Sequence, residues 1–88
     1  MERTIYKYPL SIVNYQSVKL PLGAEILCIK NQGEIPCLWA LVDPKQLISD
    51  PVQIRCVGTG HELTEDHAKY IDTVLICGGA IVLHFFKI

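Results

Sequence analysis

An all-β fold, a compact antiparallel sandwich or barrel-like sheet of about six to seven strands with little helix, is what this 88-residue sequence predicts. Three observations carry that expectation. Short runs of β-branched and aromatic residues recur, separated by Pro, Gly and Asn turn signals. Val52-Gln-Ile-Arg-Cys56 alternates apolar and polar residues with a period of two. Nowhere does a 3.6-residue period persist long enough for a packing helix.

The elements follow in order. Thr4 to Tyr8 reads as a strand stopped by Pro9, and Ser17 to Leu20 as a second, broken by Pro21-Leu-Gly23. Ala24 to Lys30 and Ile35 to Val42 flank Asn31-Gln-Gly-Glu34, a four-residue connection of the kind that closes a hairpin. Asp43-Pro44 ends that hairpin, and residues 45–51 read as a loop or one helical turn closed by Asp50-Pro51. In the strand Val52 to Cys56, Val52, Ile54 and Cys56 share one face, so Arg55 points away from the core. Leu63 to Lys69 is polar and acidic, a candidate short helical turn capped by Thr64. Tyr70 to Cys77 and Ala80 to Ile88 surround Gly78-Gly79, the glycine pair of a tight hairpin.

Size and composition bound the function. The chain makes one domain, residues 1–88, and at this length buries roughly 60–70% of its unfolded surface. Half the residues are hydrophobic and 19% are charged. Three runs, Ile26 to Ile29, Cys37 to Val42 and Ala80 to Leu83, are apolar on both strand faces, which implies cover on both sides. With no helix to supply a second layer, a homo-oligomer is expected. The alternative is a sandwich that places Trp39, Phe85 and Phe86 inside. The uncharged run from Ile76 to Phe86 is shorter than the ~20 residues of a spanning helix, so no membrane partner is expected. No secretory signal is visible, and the expected location is the cytoplasm. Eight basic against nine acidic residues, with no block of either, argue against a duplex nucleic-acid partner. The four cysteines form no C-x-x-C pair and read as reduced core thiols.

The candidate site centres on Val57-Gly-Thr-Gly-His61. Glycines at 58 and 60 leave backbone N–H groups free to converge on an anion beside the Thr59 hydroxyl and His61. Arg55 and Lys69 supply charge, and Tyr70 or Trp39 a stacking surface. In the competing reading Gly58 and Gly60 only shape a turn, and Trp39 is core. The stretch fails as a dinucleotide fingerprint, since Leu63 occupies the third glycine position, and it lacks the lysine of a P-loop. His61, Asp66 and His67 match no rigid metal geometry, so no metal or other cofactor is expected. His84, out of phase with Leu83 and Phe85, reads as a hydrogen-bonded histidine at an interface. No serine or cysteine has a histidine at motif spacing and no carboxylate pair is held rigidly, so the sequence does not predict an enzyme.

Four ordered motifs, Lys7-Tyr-Pro-Leu10, Leu38-Trp-Ala-Leu-Val-Asp43, Val57-Gly-Thr-Gly-His61 and Gly78-Gly-x-x-Val-x-His-x-Phe86, resemble a family of short proteins of unsettled activity found in phage and prophage genomes. The resemblance spans nearly the whole chain, with Leu83 where the family pattern implies an aromatic. By analogy of size and inferred assembly, the chain is also similar to phage sponge proteins that sequester nucleotide-derived immune signals. This implies a non-catalytic homo-oligomer in the bacterial host cytoplasm that binds a small anionic, nucleotide-derived ligand. A protein–protein interaction module, inhibiting a host protein or serving the virion, is the alternative.

Overall fold

The alternation of strand and turn resolves into β1 (Thr4–Pro9), β2 (Tyr15–Pro21), β3 (Glu25–Gln32), β4 (Ile35–Val42), β5 (Ser49–Gly58), β6 (Lys69–Ile76) and β7 (Ile81–Lys87), in a computed structural model that describes residues 2–88. All pairings are antiparallel. One sheet has the order β1-β4-β3 and the other β2-β5-β7-β6, and neither closes into a barrel. Among the described residues the only helix is a 3₁₀ turn at Cys77–Gly79.

Strand periodicity sets the inner faces. Leu38, Ala40 and Val42 of β4 meet Ile54 and Cys56 of β5, Val74 and Ile76 of β6, and Leu83 and Phe85 of β7, with Leu20 and Ile29 completing the core. Phe85 is fully buried, whereas Phe86 points out and Trp39 lies half-buried on the outer face of the three-stranded sheet. The sandwich that would enclose all three aromatics is therefore not the one adopted. The two-faced apolar runs keep one face open, with Leu27, Cys28, Trp39, Leu41 and Val82 all partly or well exposed. The four cysteines are free thiols, but only Cys37 and Cys56 are buried; Cys28 is half-buried on the open face and Cys77 is exposed on a turn, so neither of these is a core residue.

Several boundaries differ from the sequence reading, each for a local reason. The segment before Val52 is strand from Ser49 onward, and Pro51 is tolerated because β7 pairs with β5 only from Ile54, leaving a ladder on one side. The β3–β4 turn is tighter than expected: Gln32 pairs with Ile35, so only Gly33 and Glu34 connect the strands. Conversely, four residues, Cys77 to Ala80, link the paired Ile76 and Ile81. The 63–68 segment forms no helical turn. It is closed by the Ala68 N–H donating to the Glu65 carbonyl at 3.3 Å, and the Glu65 side chain is used elsewhere.

At one margin of the sandwich β3 and β6, each the edge strand of its own sheet, lie beside each other. Side chains join them in place of a backbone ladder. Asp72 accepts the Ile29 N–H at 3.2 Å, Asn31 Nδ2 donates to the Leu75 carbonyl at 2.5 Å, and Glu34 accepts the Cys77 N–H at 2.7 Å. Two free edges that would otherwise invite pairing with another chain are thereby blunted.

Candidate functional site

The register fixes which sequence candidates meet. Across the outer face of the four-stranded sheet, Tyr15, Arg55, Phe86 and Tyr70 form one row and Val57, His84 and Thr73 the next. The segment after β5 folds back over the first half of this face. Arg55 leaves the core, as its phase requires, but it is only 8% exposed because that segment covers it. Its guanidinium donates to Glu65 Oε1 at 3.1 Å and to the carbonyls of Cys56 (2.9 Å), Glu62 (3.3 Å) and Asn14 (3.5 Å). The Tyr15 ring lies 4.5 Å from its Cζ, and the Tyr15 hydroxyl donates to Glu65 Oε2 at 2.6 Å. That hydrogen bond, with the Arg55 contact, holds the Glu65 carboxyl below its ordinary value against the opposing effect of burial. Arg55 is thus committed to holding the loop.

The glycine stretch is a turn. His61 N–H donates to the Gly58 carbonyl at 3.1 Å, and Gly60 adopts φ +87°, the left-handed value that a type II turn demands at its third position. Gly58 serves a different purpose: a Cβ there would come within 3.1 Å of the His61 ring, which packs over it. Thr59 projects from the turn and its Oγ1 lies 2.7 Å from His84 Nε2. His84 Nδ1 lies 2.9 Å from Thr73 Oγ1, which is 2.6 Å from the Tyr70 hydroxyl. One chain of hydrogen bonds therefore runs from the turn after β5 across β7 to β6. His84 is outward-facing as its phase predicts, and its partners Thr73 and Thr59 are invisible in sequence because they lie 11 and 25 residues away.

A cleft of about 310 Å³ opens at the other end of β6 and β7, lined by Ile26, Leu27, Lys69, Tyr70, Ile71 and Lys87. Lys69 and Lys87 are direct cross-strand partners, and neither forms an ion pair among the described residues. Like charges placed opposite each other destabilise a sheet, so this pair is not explained by folding. The Tyr70 ring is 59% exposed and stands edge-on to Phe86, with centroids 5.7 Å apart. A bulge at Ile71 turns Tyr70 outward while returning Asp72 to the inner side. Lys87 and Ile26 also border a second cavity of about 160 Å³ that contains Asp50.

Of the eight candidates, Lys69 and Tyr70 share this cleft. Thr59 reaches Tyr70 only through His84 and Thr73, Arg55 is engaged by Glu65, and Gly58, Gly60 and His61 form the turn. Trp39 belongs to the other sheet, where its Nε1–H is buried with no partner among the described residues. Lys87 is the member that sequence reasoning missed; only strand register brings it opposite Lys69. Among the described residues no cluster of His, Cys, Asp or Glu is placed to hold a metal, and no helix is long and apolar enough to cross a membrane. Burial pushes the Cys56 thiol up, which keeps it in its unreactive protonated form.

Fold and cleft together define a small two-sheet β-sandwich with a basic, aromatic-edged recess. The whole chain, residues 1–88, matches the model of the family described as Domain of unknown function (DUF7352), and the protein belongs to that family. No curated protein and no solved structure gives a significant match.

Proposed function

We propose that this protein is a non-catalytic binder of a small anionic molecule, with Lys69, Lys87 and Tyr70 as the recognising groups. The observation that carries this reading is the facing lysine pair above an apolar floor of Ile26, Leu27 and Ile71. Two unpaired ammonium groups favour an anion such as phosphate, the floor favours a ring, and Tyr70 offers an aromatic edge or face to it. The volume lies at the low end of small-molecule sites and suits a mononucleotide-sized ligand. Capture without turnover is how phage sponge proteins deplete nucleotide signals, and the small size and inferred assembly of the chain support that setting by analogy. Leu27, Ile5 and Ile35, all exposed and all on the three-stranded sheet, support association of copies.

Calorimetric titration with nucleoside mono-, di- and cyclic phosphates tests the reading. Binding at micromolar Kd or tighter is expected for at least one of them, weakened at least tenfold by Lys69→Gln and by Lys87→Gln in a folded protein. A panel without heat, or binding indifferent to both substitutions, overturns it. The interaction-module reading is favoured by one observation: Leu47 is 94% exposed on a loop braced by the Lys45 N–H donating to Asp43 Oδ1 at 3.0 Å. It predicts instead a nucleotide panel without heat and a host protein that co-purifies with the wild type and is lost in Leu47→Asp.

A further inference from the structure

The hydrogen-bond chain from Thr59 to Tyr70 has the layout of an activated hydroxyl. Thr59 Oγ1 is 2.7 Å from His84 Nε2, within reach for proton transfer, and the opposite ring nitrogen is held at 2.9 Å by Thr73 Oγ1. Thr73 is itself fixed by Tyr70 at 2.6 Å. A nucleophile, a base in contact with it and a third group orienting the base constitute the general signature of covalent chemistry, whatever the residues' order in sequence. The chain admits two proton orders. In one of them Thr59 donates to Nε2, the Nδ1–H donates to Thr73, Thr73 donates to Tyr70, and the Tyr70 hydroxyl donates to solvent. That order leaves Nε2 as the proton acceptor for Thr59. Thr59 is exposed, and beside it a Cβ built on Gly60 would meet nothing within 4 Å, so an incoming group is unobstructed on that side.

We infer that Thr59 is a covalent acceptor site for an acyl group delivered by an activated ester, with His84 as its base and Thr73 as a positioning residue. In the step, Thr59 Oγ1 attacks the ester carbonyl carbon as its proton passes to His84 Nε2. The tetrahedral adduct then collapses, the C–O bond to the leaving alcohol breaks, and the departing oxygen takes the proton back from Nε2. The products are an O-acyl threonine and a free alcohol, with no oxidant, metal or water consumed. The site needs no turnover and shares only Tyr70 with the ligand reading above; it uses neither Lys69 nor Lys87, so Lys69→Gln and Lys87→Gln should leave Thr59 acetylation unchanged whether or not they weaken nucleotide binding.

The test is intact-mass spectrometry and peptide mapping after exposure to p-nitrophenyl acetate, with circular dichroism confirming that each variant is folded. One acetyl group is expected on Thr59. Its rate of formation should fall on the order of 100-fold in His84→Gln and about tenfold in Thr73→Val, where the ring loses its orienting partner. Thr59→Ser, which keeps the hydroxyl in the same turn, should still be acetylated, and Thr59→Ala should not. Acetylation confined to lysines and the N-terminus, or equal Thr59 labelling in wild type and His84→Gln, overturns the inference.

Discussion

The Asp72 carboxylate of β6 accepts the backbone N–H of Ile29 on β3 at 3.2 Å, so a side chain of one sheet completes the edge of the other. The same carboxylate pairs with Lys30 Nζ at 3.0 Å and accepts the Thr73 N–H at 2.9 Å. Burial alone would raise its proton affinity. The Lys30 contact and the two backbone donors outweigh that effect and hold the carboxyl below its ordinary value.

Acid stability should report this directly. A carboxyl whose folded value is depressed contributes its full stabilisation above the ordinary range, near about pH 4, and loses it as pH falls through the folded value. Asp72 and Glu65 are both of this kind. Tm is therefore expected to be flat from neutral pH to about pH 5 and to decline below about pH 4, with Asp72→Asn giving a lower plateau and a shallower acid limb. An unchanged acid limb in Asp72→Asn, followed by calorimetry, would show that the contact between the sheets is not linked to protonation.

Arg55 predicts a different failure. Arg55 is buried and Glu65 half-buried, so Arg55→Ala leaves the Glu65 carboxylate with the Tyr15 hydroxyl as its remaining side-chain donor and frees the loop that the pair closes. A fall in Tm of about 10 °C or more is expected for a chain of this size. Faster amide exchange should appear at residues 59–68, while β1, β3 and β4 exchange as in wild type. If Arg55→Ala instead loses ligand heat with no change in Tm, Arg55 is a binding residue and the loop-locking role is wrong.

How far the sequence could be read depended on the range of the interactions. Strand existence was legible because Val52, Ile54 and Cys56, or Leu83 and Phe85 against His84, announce their faces through a period of two. The outward direction of Arg55 was legible for the same reason, but its burial was not, since Glu65 covers it only after a loop of irregular backbone returns. The lysine pair was half-legible: Lys69 has a partner, Lys87, that register alone supplies. The separation of Trp39 from Lys69 and Tyr70 was not legible, because an apolar strand does not reveal which sheet it joins. The extent of the turns differs where Cys77 adds a left-handed φ to those of Gly78 and Gly79, and where Gly33 alone supplies one between β3 and β4.

The β6–β7 turn yields a pair of opposite expectations. Cys77 is the only non-glycine residue with positive φ among those described, at +54°, and its exposed side chain packs on nothing that the core requires. Holding an L-residue there costs about 1–2 kcal/mol, partly offset by the greater unfolded-state freedom of a glycine replacement. Cys77→Gly keeps the backbone N–H donated to Glu34 and should stabilise by up to about 1 kcal/mol. Gly78→Ala, at φ +65°, should destabilise by about 1 kcal/mol. Urea denaturation resolves both, and matching signs would rule out strain as the common cause.

The facing lysines predict a trade between stability and function. Direct cross-strand repulsion is worth a few tenths of a kcal/mol up to about 1 kcal/mol, so Lys69→Gln should raise Tm by a few degrees while weakening capture of the anion. Lys69→Glu should go further, forming an attractive pair with Lys87 and repelling the ligand. Salt separates this from a packing effect: screening shrinks the Tm gap between wild type and Lys69→Gln, since both lysines are exposed. A bound phosphate does the same by neutralising the pair, so wild type should gain Tm from the ligand in the calorimetric panel, whereas Lys69→Glu should gain none. If instead Lys69→Gln lowers Tm at low salt, the two ammonium groups are not in mutual strain, and the case for a waiting anion site loses its physical basis.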